Sequence, residues 1–255
     1  MIRTALAALV LLLPLAAPAA RIVNVQPAAS KGAVEGISGE ISGLLNWTTG
    51  NTEVTQISGA AAGLYLTGRH RIYLTARASY GLDDEEAFIN NLFEHLRYRY
   101  RLLPWLSPET FVQHEYDEFR RLQLRALFGL GPRFDLPLPR GYEVAIGTAW
   151  MLEYERFTEG DEVDAGEEEL NQRWSSYVFA SAIPTDGIAL THTTYVQPKF
   201  DEFDDYRLLS ETAAILDVKT WLAVKLAFTS AYDSEPPDGV EKLDTSFTTS
   251  LLFRL

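Results

Sequence analysis

The sequence has no cysteine in 255 residues. That excludes a disulfide framework, thiolate metal sites and a lipid-modified N-terminal cysteine. It also suits passage through an oxidising compartment. Positive charge is scarce: 22 Lys and Arg stand against 35 Asp and Glu, for a formal net charge of -13. No basic face is available to neutralise phosphates, so nucleic acid is not an expected partner. Beyond the N-terminus no segment approaches eighteen uninterrupted apolar residues. A transmembrane helix is therefore not expected after it, and any membrane insertion must use strands. The mean hydropathy of -0.07 does not separate a soluble from a membrane protein. A transmembrane barrel alternates apolar and polar residues along every strand and so averages out.

The N-terminus carries the most specific local signal. Arg3 precedes an apolar run from Ala5 to Ala17 broken only by Pro14, and Ala17-Pro18-Ala19 puts small residues where a signal peptidase reads. Residues 1–19 are read as a signal peptide. Their apolar core is too short to span a bilayer well as an anchor. Residues 20–35 are small and polar and are read as a short periplasmic leader.

From Gly36 onward a period of two dominates, which is the period of a strand. Tyr142, Val144, Ile146, Thr148, Trp150, Leu152 and Tyr154 form one face, and Glu143, Ala145, Gly147, Ala149, Met151, Glu153 and Glu155 the other. Leu122, Leu124, Ala126, Phe128 and Leu130 repeat the pattern against Gln123, Arg125, Leu127, Gly129 and Gly131. Twelve such segments are predicted, at 37–48, 53–66, 71–81, 91–101, 109–117, 121–134, 141–155, 172–182, 187–198, 205–216, 220–232 and 242–255. Each is about the length that a tilted strand needs to cross a bilayer.

The connections argue for a barrel. The even ones are short and turn-like, as in Thr67-Gly68-Arg69-His70 and Pro184-Thr185-Asp186-Gly187. The odd ones are mostly longer and acidic: Gly81 to Ala87, Phe157 to Leu170, Phe200 to Asp205 and Asp233 to Glu241, with Thr49 to Thr52 a short exception. An outer-membrane barrel shows this alternation, with short periplasmic turns and longer external loops. A soluble sandwich has no reason to sort loop length by parity. Tyr and Trp gather near strand ends: Trp47, Tyr80, Tyr116, Tyr154, Trp174, Tyr206 and Tyr232 at one rim, Tyr65, Tyr100, Trp105, Tyr142 and Trp221 at the other. Amphipathic rings prefer the bilayer interface. The predicted fold is all-β: residues 36–255 form a closed antiparallel transmembrane barrel of about twelve strands, the last paired with the first. Leu124, Phe128, Val144, Ile146, Leu226 and Phe247 are expected on its outer face.

The end of the chain, with Tyr232-Asp233-Ser234, Pro236-Pro237, Gly239, Lys242, Asp244-Thr245 and Phe253-Arg254-Leu255, resembles a known family. Thr49-Gly50-Asn51-Thr52, Gly68-Arg69-His70 and Phe203-Asp204-Asp205-Tyr206-Arg207-Leu208 fit the same family, catalogued as domain of unknown function 481 and described as salt-induced outer-membrane proteins. The resemblance spans nearly all of 36–255. It implies a β-barrel in the outer membrane and carries over no catalytic residue. The chain ends in Leu255, with Phe253 two before it, whereas outer-membrane barrels commonly end in an aromatic residue read by the assembly machinery.

Alternation also selects the candidate lumen residues: Arg77, His95, Arg97, Arg99, Arg101, Glu115, Arg125, Glu143, Glu153 and Glu211. They read either as a constriction whose fixed field selects solutes or as ion pairs that fill a narrow lumen, the second being preferred. The acidic loops, with Asp83-Asp84-Glu85-Glu86, Glu159 to Glu169 and Asp201 to Asp205, could gather divalent cations. No calcium-loop spacing is present, so solvated loops are the preferred reading and no metal or cofactor is expected. His192, Ser176 and Ser210 share an outward face, but no motif supports a catalytic triad. The expected protein is a non-enzymatic barrel, either a narrow passive channel or a structural envelope component. Its expected partners are outer-membrane lipid, the barrel-assembly machinery and small ions or solutes. A lipid-modifying enzyme and a soluble periplasmic β-protein are the alternatives.

Overall fold

A computed structural model describes Asn24 and residues 35–48, 54–84, 86–160, 163–237 and 239–255. The signal peptide and most of the leader lie outside the described residues. The described residues form twelve strands: β1 (Gly36–Thr48), β2 (Val54–Thr67), β3 (His70–Asp83), β4 (Glu86–Tyr100), β5 (Leu106–Asp117), β6 (Leu122–Asp135), β7 (Tyr142–Phe157), β8 (Glu168–Thr185), β9 (Ile188–Pro198), β10 (Tyr206–Lys219), β11 (Leu222–Asp233) and β12 (Leu243–Arg254). One turn of 3-10 helix, Glu118–Arg120, joins β5 to β6. Every neighbouring pair is antiparallel, and β12 pairs with β1, so the sheet closes as predicted. Closure gives both terminal strands a partner.

The closing ladder is short. Its register pairs are Glu40 with Arg254, Ile41 with Phe253 and Ser42 with Leu252, extended by Leu255 N–H to Gly39 O at 2.9 Å. β1 and β2, by contrast, pair along their whole length from Gly36–Leu66 to Thr48–Val54.

The period-two pattern sorts side chains between lumen and outer wall. Phe128, Ile146 and Phe247 are 43%, 45% and 57% exposed on the outside. Leu124, Val144 and Leu226 are half-buried there, and none of the six is buried. Aromatic rings rim the outer wall at both ends. Tyr206 packs on Tyr232 at the loop end, and Trp221 stacks on Phe253 and Trp105 on Phe134 at the turn end.

Three local expectations are corrected. Leu122 points inward and is 1% exposed, packed at the level of Phe157. The register slips between Leu122 and Leu124, and this bulge at Gln123 reverses the alternation for one residue. The segment Gly81 to Ala87 is a tight hairpin, with Asp83 paired to Glu86 and Asp84 at φ 46°, instead of a long loop. Asp83 and Glu86 extend the ladder. β4 accordingly starts at Glu86, earlier than predicted.

Glycine is required where β6 meets β7. Pro132 faces Pro108 of β5 and has no N–H for the ladder. The β6–β7 register pairs skip Gly131 and Pro132, and a Cβ on Gly131 would lie 1.9 Å from the Thr148 carbonyl oxygen. Only a residue without a side chain allows that approach. Gly131→Ala is expected to cost about 1–3 kcal/mol by forcing backbone apart. The measurement is the temperature at which the barrel loses its compact, fast-migrating form on a gel. An unchanged midpoint would show that the strands part freely there.

Candidate functional site

The lumen holds two ionic networks, and both sit against the β4–β10 side. The first lies toward the loop end and centres on Glu153 of β7, whose side chain is fully buried. Three arginines from three strands converge on it. Arg125 of β6 donates from Nη2 to Oε1 at 2.6 Å, Arg173 of β8 from Nε to Oε2 at 2.7 Å, and Arg207 of β10 from Nη1 to Oε1 at 2.5 Å. Each arginine has a second carboxylate: Glu115 at 3.1 Å for Arg125, Asp205 at 2.8 Å for Arg173, Glu155 at 2.9 Å for Arg207. Arg207 also reaches Asp233 at 3.2 Å. Buried charges are tolerable when their donors and acceptors are matched in this way.

The second network lies toward the turn end and centres on Glu109 of β5. It accepts from Arg97 Nη1 at 3.3 Å, Arg99 Nη2 at 3.2 Å and the Tyr177 hydroxyl at 2.9 Å. Arg133 donates to Asp135 and Glu143, each at 2.7 Å. Above it, His95 is held by Gln113 at 3.2 Å and stacks between Phe93 and Phe111.

The opposite side is lined by small residues. Ser42, Ala60, Thr75, Thr229, Thr248 and Ser250 face a cavity of about 360 Å3. It extends from Ile89, Asp117 and Arg120 near the loop end to Glu40, Ile215 and Leu252 near the turn end. Hydroxyls and alanines leave volume that the arginines occupy elsewhere. Glu211 and Lys225 pair across β10 and β11 at 3.1 Å on its wall. Asn24 enters the same space: its side-chain amide donates to Glu211 at 3.0 Å, and its carbonyl accepts from Arg77 at 3.2 Å.

The candidate lumen residues therefore divide. Arg97, Arg99, Glu115, Arg125, Glu143 and Glu153 belong to the networks, His95 packs beside them, and Arg77 and Glu211 line the cavity along with Glu115. Arg101 is a correction. β4 ends at Tyr100, and Arg101 is exposed at the rim, its N–H bonded to Arg69 O at 2.8 Å. The strand alternation was extended one residue too far. Glu109, Arg133, Glu155, Arg173 and Arg207 were missed, although the same alternation places all five inward. Arg207 stands inside the motif Phe203 to Leu208.

Four of the loop acids meet basic residues. Asp164 pairs with Arg121 at 2.6 Å, Asp205 with Arg173, and Arg156 lies between Glu159 and Glu168. Among the described residues no group of His, Asp and Glu is arranged to hold a metal. On the outer face His192 bonds Thr212 at 2.9 Å and Thr194 at 3.1 Å. Ser176 instead bonds Thr148, and Ser210 accepts from Thr194 at 3.5 Å, so neither expected serine reaches the imidazole.

Glu153→Gln removes the charge on which three buried guanidinium groups converge, and a cost of about 3–5 kcal/mol is expected. Urea unfolding in detergent reads it. Unchanged stability would mean that the outer carboxylates suffice.

Comparison with solved structures gives similar barrels at low identity. An outer-membrane channel from Pseudomonas putida F1 superposes with a TM-score of 0.55 at 13% identity, over 91% of this chain and 100% of the other. The NanC porin gives 0.50 at 7% identity, over 85% and 97%. At such identities the likeness is one of fold. No curated protein matches the sequence. The profile of the family described as "Protein of unknown function, DUF481" matches residues 43–255, and with its closed twelve-stranded barrel the chain belongs to that family.

Proposed function

We propose that the protein is a narrow passive channel of the bacterial outer membrane that passes small polar solutes, with no catalytic role. The observation that carries this reading is the partition of the lumen. Had the ionic networks filled it from wall to wall, the barrel would be a solid post. Instead a space of about 360 Å3 lies along one wall, lined by serine and threonine hydroxyls together with alanine, glycine and a few larger apolar residues such as Phe93, Leu209 and Ile215. The apolar outer belt between two aromatic rims supports a lipid setting. The N-terminal segment supports export, and export to that membrane implies handling by the barrel-assembly machinery. The structural neighbours described as a channel and a porin favour conduction over a purely structural role.

A lipid-modifying enzyme is the weaker reading for a reason of depth. Six residues of β10 separate Tyr206 at the rim from Thr212, His192's partner. That is about 14 Å of depth at 3.3 Å per residue and a 45° tilt. In an apolar belt roughly 25 Å tall this is near the centre. Ester carbonyls of lipids lie at the interface, out of reach of that imidazole.

The passage favours cations in this reading. Glu40, Glu115, Asp117 and Glu211 line it against Arg77, Arg120 and Lys225. Arg97 and Arg99, which would argue for anions, are bound to Glu109 away from the lining. Purified barrel in a planar bilayer is expected to conduct, with a reversal potential in a salt gradient of the cation-selective sign. Thr248→Trp, which fills the passage, should lower single-channel conductance by about twofold or more, whereas Arg97→Gln, outside it, should change it by less. A folded barrel that carries no current overturns the channel reading, and an anion-selective value overturns the account of the lining.

A further inference from the structure

One titratable pair has no place in the lumen. Glu94 of β4 and His114 of β5 face outward, directly opposite each other across the ladder. His114 Nδ1 lies 3.2 Å from Glu94 Oε2, with the side chains 42% and 53% exposed. Between the two aromatic rims, Glu94 is the sole outward carboxylate among the described residues. Leu92 and Tyr116 stand on one side of the pair and Leu96 and Val112 on the other, so it interrupts an otherwise apolar surface. In hydrocarbon a carboxylate with a single partner is expensive, and such residues ordinarily mark a contact or a function.

The neighbours of the pair are small. Ala76 lies opposite Glu94 on β3, Ala61 opposite Ala76 on β2, and Ala126 opposite His114 on β6. Gly59 and Ala78 continue the low surface in the next row. Another wall could therefore approach close to the backbone here. The outward His192 differs, because both of its ring nitrogens already have hydroxyl partners within the chain.

We propose that the β3–β6 outer wall is the interface of a two-fold dimer, in which Glu94 of each copy meets His114 of the partner subunit. The choice of a second copy follows from chemistry. Acyl chains offer neither donor nor acceptor. A two-fold axis parallel to the barrel axis and passing between the two side chains sets acid against imidazole twice, so this surface is complementary to itself. The inference rests on the wall lying in lipid and is independent of whether the lumen conducts.

The absence of native cysteine makes the test direct. Ala76→Cys and, as a control on the far wall, the outward Phe228→Cys are each placed in the full chain, and the folded barrels are treated in lipid vesicles with a bis-maleimide that spans about 15 Å, the three strand spacings that separate the two Ala76 positions across the axis. Heat-modifiable migration verifies folding before cross-linking. A cross-linked dimer is expected from Ala76→Cys and not from Phe228→Cys. Adding Glu94→Leu to Ala76→Cys should weaken association by about tenfold. The exchange Glu94→His with His114→Glu should restore it, since the exchanged surface is again self-complementary. Folded barrel that links equally at both sites, or at neither, overturns the proposal. So does linkage at Ala76→Cys that Glu94→Leu leaves unchanged, which would indicate contact through the small residues alone. A barrel that fails to enter vesicles would instead count against the membrane reading.

Discussion

The rest of the lumen is arranged around one carboxylate. Glu153 has no solvent contact and takes hydrogen bonds from three guanidinium groups carried by three different strands. A sheet that closes on itself fixes only neighbouring strands to one another. Glu153 adds a constraint across the interior, tying β7 to β10 as well as to β6 and β8. The cost of stripping water from four charges is repaid only while every member is present, which makes the network cooperative. Its members also need volume. Arginine, glutamate and tyrosine therefore crowd the side where they pair, and serine, threonine and alanine are left to line the other.

That division connects packing to the proposed role. A uniformly lined barrel of twelve strands would leave a ring of space around competing side chains. Here the long side chains are drawn to one wall by their own ion pairs, so the free volume is gathered into one passage. The residues that look most like a selectivity filter, Arg97 and Arg99, are structural in this arrangement, because Glu109 and Tyr177 hold the region together. The charges that solutes would meet are those on the small-residue side.

Much of this was legible in the sequence, for a physical reason. Side-chain direction alternates strictly in a strand, so the faces of Tyr142 to Tyr154 follow from residue order alone. Reading failed where the backbone departs from strict alternation or where a strand stops. The bulge at Gln123 turned Leu122 inward, and the end of β4 at Tyr100 left Arg101 at the rim. Pairing across the lumen was beyond reach. Arg207 and Glu153 are 54 residues apart, and whether they meet depends on the stagger accumulated strand by strand around the barrel. The cavity was hidden for the same reason. Ser42, Ala60 and Thr248 are unremarkable separately and form a wall only after closure.

The brief ladder between β1 and β12 acquires a further meaning beside the cavity. Both seam strands contribute to the passage wall, through Ser42 on one and Thr248 on the other. The opposite wall is cross-braced by arginines. Opening the seam breaks few backbone hydrogen bonds, so local opening there carries a low free-energy cost. The barrel thus has a cross-braced side and a side closed by few backbone bonds, and the seam is where separating two strands costs least.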